Sequence, residues 1–148
     1  MMRALSVFAF LFAATAVSAA PANCPSTGLA TAPATFVTAK GKFRYSLEIA
    51  ASGEAQECGL MYRKTMKLGA GMIFPFTPPR ETSFWMENTP LPLDLIFVDA
   101  DNRVISIAPG KPFSRDLINS GGVTAAVIEL NLGEARRMGL KPGDKVVK

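Results

Sequence analysis

The sequence has 148 residues, with 16 basic and 12 acidic side chains, a formal charge of +4 and no histidine. Without an imidazole, serine or cysteine nucleophiles activated by histidine and zinc sites built on histidine ligands are excluded. The modest positive excess is spread as single charges and short clusters, and even Arg136-Arg137 reads as a solvated face, so no nucleic-acid partner is expected.

Residues 1–20 carry Arg3, an apolar run at 4–17 and small side chains at the end. This is the build of a secretory signal peptide, its apolar part shorter than the ~20 residues a membrane span needs. Small side chains in Val17-Ser18-Ala19 place cleavage after Ala19, Ala20-Pro21-Ala22 offers a second site, and Asn23 before Cys24 argues against a lipoprotein signal. The expected mature protein is exported, periplasmic or secreted, with no stable membrane anchor; losing Arg3 lowers the charge from +4 to +3. What remains suffices for one domain burying roughly two thirds of its unfolded surface.

Residues 20–33, rich in Pro, Ser, Thr and Ala without periodicity, read as a flexible N-terminal arm, and 34–148 as a single β-rich domain. Residues 35–39 and 42–50 predict a hairpin about Gly41, the second strand alternating Phe43, Tyr45, Leu47 and Ile49 with Lys42, Arg44, Ser46 and Glu48. Ser52 offers an N-cap for a short helix reaching about Met61, with Glu54 and Glu57 in its first turns. Residues 71–76 predict a strand that Pro75 confines to an edge or bulge. Residues 82–87 predict another, with Phe84 and Met86 on one face and Trp85 and Glu87 on the other.

Residues 93–98 predict a strand in which Leu93, Leu95 and Phe97 face one way and Asp94, Ile96 and Val98 the other; both faces are largely apolar, which marks it as central. Asp99 to Asn102 is a turn without the Gly and distal Glu of a calcium loop, and 104–107 pairs back across it. A polar loop at 109–122 precedes a buried strand at 124–130 that carries Glu129. A helix at 132–138 follows, with Asn131 as its cap and Gly139 as its stop, then a last strand at 145–147. Turns, not helices, are the usual connections. The expected fold is therefore mainly β with a minor α part: a compact antiparallel β sandwich or distorted barrel with two short helices.

Cys24 and Cys58 are the two cysteines, and both survive cleavage into an oxidising compartment. A disulfide between them follows, since two candidates leave no choice of partner; the alternative is two free thiols, one of them buried.

The segment from Cys58 to Asp99 carries GLMYR at 59–63, GMIFPF at 71–76, FWMENT at 84–89 and LPLDLIFVD at 91–99, with IEL, an NLG helix start and GLKPGD further on. In this combination the chain, over 42–147, resembles the uncharacterised domain-of-unknown-function family 192. The resemblance implies a small β-rich domain, often exported, with no established reaction and so no catalytic residue to carry over. The positions that match its motifs are Gly59, Met61, Arg63, Gly71, Met72, Phe74, Trp85, Met86, Asn88, Thr89, Leu93, Asp94 and Glu129; Pro75 departs from the regular GMIF strand.

Five residues form the candidate pocket: Arg63, Trp85, Asn88, Asp94 and Glu129. Asp94 is costly inside an apolar strand unless paired, and its candidate partners are Arg63 and the Asn88-Thr89 turn. Structurally it would pin that turn; functionally, Asp94, Arg63 and Glu129 would supply an acid or base, an anion clamp and a second carboxylate. Trp85 with Glu87 and Asn88 would make a platform for a small polar ligand, or Trp85 is a core residue. Met61, Met66, Met72 and Met86 with Cys58 are better read as core filler than as a copper(I) site, so no metal and no cofactor is expected. The functional expectation is a non-catalytic binding or accessory module, with a surface near Trp85 and Arg63 for a small polar ligand or an envelope protein. The alternative is a carboxylate-dependent hydrolase acting on a glycan or similar envelope substrate through two of Asp94, Glu87 and Glu129.

Overall fold

Apolar and polar residues alternate between turn residues along most of the chain, and strands result. The computed structural model describes Cys24 and residues 28–148. The expected signal peptide at 1–19 lies outside the described residues, as does the arm apart from Cys24 and 28–33. In chain order the elements are β1 (Thr31–Thr38), β2 (Gly41–Ile49), α1 (Gly53–Cys58), β3 (Ala70–Arg80), β4 (Ser83–Phe84), β5 (Leu93–Val98), β6 (Val104–Gly110), β7 (Ile118–Asn119), β8 (Thr124–Asn131), α2 (Glu134–Met138) and β9 (Lys145–Val147).

The fold is mainly β with two short helices. Seven strands form one mixed sheet in the order β6-β5-β8-β3-β2-β1-β9, and β4 and β7 pair separately. The sheet is open, not closed into a barrel. A single antiparallel backbone β-bridge between Arg103 and Lys145 draws the start of β6 towards β9. Among the described strands, β2 and β3 are the parallel pair, Ser46–Ile49 beside Ala70–Ile73, and α1 lies in the crossover that parallel pairing requires.

Several elements differ from the periodicity, each for a local reason. β1 starts at Thr31 and takes in Pro33; β9 pairs only with Thr35 to Val37, so at Pro33 the strand is an edge that tolerates a missing N–H. Helix α1 ends at Cys58, not near Met61, because Gly59 turns the chain at φ +47. A Cβ there would meet the Phe74 ring at 3.2 Å. β3 is interior, yet β2 accompanies it only to Ile73, so Pro75 lies where a single neighbour, β8, remains. The strand expected at 82–87 shortens to Ser83–Phe84, since the Met86 N–H leaves to donate to Ser114 O and Asn88 turns the chain at φ +54.

Both faces of the sheet are covered. On one, Phe36, Tyr45, Leu47, Ile96, Val98, Ile128 and Leu130 pack with Ala135 and Met138 of α2. On the other, Met72, Phe74, Leu93, Leu95, Phe97 and Val127 pack with Ala55 of α1 and Met86. Each fully buried Leu, Ile or Phe contributes about 1.5–3 kcal/mol of transfer free energy. Gly71 of the GMIF motif is a close-approach glycine: a Cβ there would lie 2.6 Å from Glu129 O and 2.6 Å from Leu130 Cδ2, so β3 and β8 leave no room for a side chain. On the first face, Tyr45 donates to Glu134 and receives a bond from Arg137, tying β2 to α2.

Candidate functional site

Ser52 Oγ accepts the Ala55 N–H at 3.1 Å, which caps α1 and points its buried Ala55 and Cys58 at the sheet. Cys58 is joined to Cys24 in a disulfide, with Cα atoms 5.4 Å apart. Beyond Gly59, the Tyr62 N–H donates to Asn88 O at 2.8 Å and so draws the FWMENT segment against the GLMYR segment. Asn88 adopts the left-handed conformation that asparagine tolerates, while Thr89 Oγ1 donates to Glu87 O.

Between these segments and the sheet lies a cavity of about 490 Å³. Phe74, Phe76, Phe84 and Trp85 give it an aromatic lining, Cys24 and Cys58 place the disulfide in its wall, and Glu129 enters from β8. Trp85 is 46% exposed, so it is open to solvent and not a core tryptophan. The Asn88 side chain is exposed and makes no hydrogen bond among the described residues.

Glu129 is the anomaly. It is 4% exposed, sits on the sheet between Met72 of β3 and Leu95 of β5, and receives no hydrogen bond or ion pair from the described residues. Burial pushes its carboxyl up to about 8, so at neutral pH it is chiefly a neutral acid, able to donate a hydrogen bond or to release a proton to a suitable environment.

Asp94 lies elsewhere. Its register partner on β8 is Leu130, whereas that of Leu95 is Glu129; the two acids therefore project from opposite faces of the sheet and cannot flank one substrate. Asp94 Oδ2 accepts the N–H groups of Gly133 at 2.9 Å and Ala135 at 2.8 Å, capping α2 in place of Asn131, whose side chain donates to Met66 O. Burial raises its pKa, and the bonds from Ala135 and Gly133 oppose the rise. Its partners are thus neither Arg63 nor the Asn88-Thr89 turn. Replacing Asp94 with Ala orphans two N–H groups and is expected to lower stability by about 2–4 kcal/mol in urea denaturation. An unchanged midpoint would remove this capping role.

Arg63 is also outside the cavity. Its Nη1 and Nη2 bind Glu48 Oε1 and Oε2 at 2.5 and 2.7 Å, a fork that fastens the segment after α1 to β2. The structure therefore gathers Trp85, Asn88 and Glu129 around one cavity and assigns Arg63 and Asp94 to other contacts. It adds Phe74, Phe76 and Phe84, and the acids Glu54 and Glu57 of α1. Of the acids in the hydrolase alternative, Glu87 and Glu129 share the cavity, and Glu87 is held by Arg115 at 2.5 Å.

Fold and site together define a small, mainly β domain with an open mixed sheet and an aromatic cavity on one of its covered faces. The chain belongs to the domain-of-unknown-function family 192: the family model DUF192, described as "Uncharacterized ACR, COG1430", matches residues 35–148. Among solved structures, it is similar to a protein of unknown function from Novosphingobium aromaticivorans, with 42% identity and a TM-score of 0.81 over 88% of this chain and 94% of that one. A protein from Sinorhizobium meliloti, described as a candidate transcription regulator, is 36% identical with a TM-score of 0.79 over 82% of this chain and 95% of that one. No match was found among curated proteins.

Proposed function

We propose that the protein is an exported, non-catalytic binding domain that holds a small polar ligand in the cavity beside Trp85. The observation that carries this reading is Glu129: a buried carboxyl with no partner among the described residues is costly to keep, and a ligand in the cavity would supply the missing partner. The exposed Trp85 ring and the uncommitted Asn88 amide add a stacking surface and a second polar contact at the same opening. A cavity lined by four glutamates and one arginine does not support carrying the transcription-regulator description of the Sinorhizobium protein over to this chain as nucleic-acid binding.

Export is supported by the signal-like start and the Cys24–Cys58 disulfide; cell fractionation of the full chain checks it, and retention in the cytoplasm contradicts it. A thermal-shift screen of small polar metabolites tests the binding reading. A ligand of the native state is expected to raise the melting temperature by mass action and to change the fluorescence of Trp85, the single tryptophan. Hits that stabilise Trp85→Ala and Glu129→Gln as much as the wild type would contradict it.

A further inference from the structure

The charge lining the cavity is lopsided. Glu54 and Glu57 come from α1, Glu87 from the loop after β4 and Glu129 from β8, against one arginine, Arg80 at the end of β3. Arg80 lies over the Phe76 ring, 4.5 Å from its centroid, and Glu87 is engaged by Arg115. Glu54, Glu57 and Glu129 have no cationic partner among the described residues. An anion entering here would meet the carboxylates of Glu54 and Glu57 at the solvent-exposed rim, an acid at Glu129 that could only become a further negative charge, and a cation already committed to a ring; a cation would meet the complementary field. The aromatic lining favours the same charge, because ring faces attract ammonium groups: Phe74 and Phe84 pack edge to face at 5.1 Å beside the exposed Trp85.

Resting on the reading of this cavity as a ligand site, we infer that its ligand carries an organic cation, a protonated amine or quaternary ammonium group that lies against Glu129 with its apolar portion along Phe74, Phe84 and Trp85. The partnerless carboxyl then acquires a counter-charge, and the aromatic lining excludes water from the pair.

Binding of this kind is linked to protons. The Glu129 carboxyl, held up at about 8 by burial, is protonated at neutral pH. An adjacent ammonium favours the carboxylate, so binding releases a proton and tightens as the pH rises towards that value. The titratable and charged groups that share the cavity with it are Glu54, Glu57, Tyr62, Arg80 and Glu87, while the flanking strands present Met72 and Leu95 beside it.

The test titrates the disulfide-bonded protein with benzylamine, benzyl alcohol and benzoate, which share a ring and differ in charge, while following Trp85 fluorescence. Benzylamine is expected to bind at least about tenfold more tightly than either analogue. Its affinity is expected to rise by up to about tenfold per pH unit between roughly pH 6 and 8, and that of benzyl alcohol to stay flat. Glu129→Gln should weaken benzylamine about tenfold and abolish its pH dependence. Equal or tighter binding of benzoate or benzyl alcohol, lost in Trp85→Ala, overturns the cation inference and leaves the cavity a ligand site. No saturable response from any of the three overturns both. If Glu129→Gln does not fold, the wild-type profile decides: benzylamine affinity that is flat with pH overturns the inference.

Discussion

Glu129→Gln is expected to be more stable than the wild-type protein at alkaline pH, with the difference shrinking as the pH is lowered. The ordinary value for this carboxyl is 4.5, and burial raises it to about 8 in the folded protein. Between those values the folded state holds a proton that the unfolded chain has released, so wild-type stability falls as the pH rises through this window and levels off above it. The loss is at most about 1.4 kcal/mol per pH unit, a few kcal/mol over the window. Glutamine keeps the shape and cannot ionise, so this contribution vanishes. Asp94, raised by burial, Glu134, lowered chiefly by its bond with Arg137, and Lys148, lowered by burial, remain in both proteins and cancel in the difference between them. The elevated phenol of Tyr45, at about 12, lies outside the window. Urea denaturation at about pH 5, 7 and 9 checks the difference. Parallel pH profiles for the two proteins would mean that Glu129 is ionised or well solvated in the folded state.

Removing the disulfide should have a comparable effect. Cys24 and Cys58 are 34 residues apart in sequence, and opening a loop of that length is expected to cost about 3–4 kcal/mol through the regained entropy of the unfolded chain. The double replacement Cys24→Ser with Cys58→Ser avoids leaving one unpaired thiol and should lower the urea midpoint by a corresponding amount. The wild type in strong reductant should approach the same midpoint. A variant midpoint equal to that of the oxidised protein would contradict a stabilising role for the bridge. Because both cysteines line the cavity, the replacement is also expected to weaken any ligand that occupies it.

The residues that carry chemistry are visible in the sequence, but their grouping depends on pairings that one strand at a time does not reveal. Asp94 and Glu129 stand out as acids in apolar strands, and alternation alone sets Asp94 with Ile96 and Glu129 with Val127. Their placement on opposite faces follows only from the β5–β8 register, in which Leu95, not Asp94, lies beside Glu129. Arg63 likewise signals a need for an anion, but Glu48 sits on what the alternation marks as the solvent face of β2. The crossover through α1 and the parallel pairing of β2 with β3 bring the GLMYR segment back to it. Phe74, Phe76 and Phe84 are hydrophobic on either account, since a cavity wall and a core interior use the same residue types.

The strands show the same division. The hairpin of β1 and β2, the buried β5 and the terminal β9 follow from local pattern and turn residues. The interior position of β3 does not, because Pro75 signals an edge while the pairing with β2 ends two residues before it. Similarly, α2 carries its stop signal in Gly139, but its N-terminal cap comes from Asp94, which is remote in sequence and close only through the packing of β5 against β8.

The central claim is that Trp85, Asn88 and Glu129 surround a ligand site, and amide chemical-shift mapping with the strongest ligand from the thermal-shift screen tests it most directly. Shifts concentrated at Trp85, Asn88, Thr89 and Glu129, together with movement of the Trp85 indole N–H, are predicted. Shifts clustered instead about the Arg63–Glu48 pair or around α2 would contradict it.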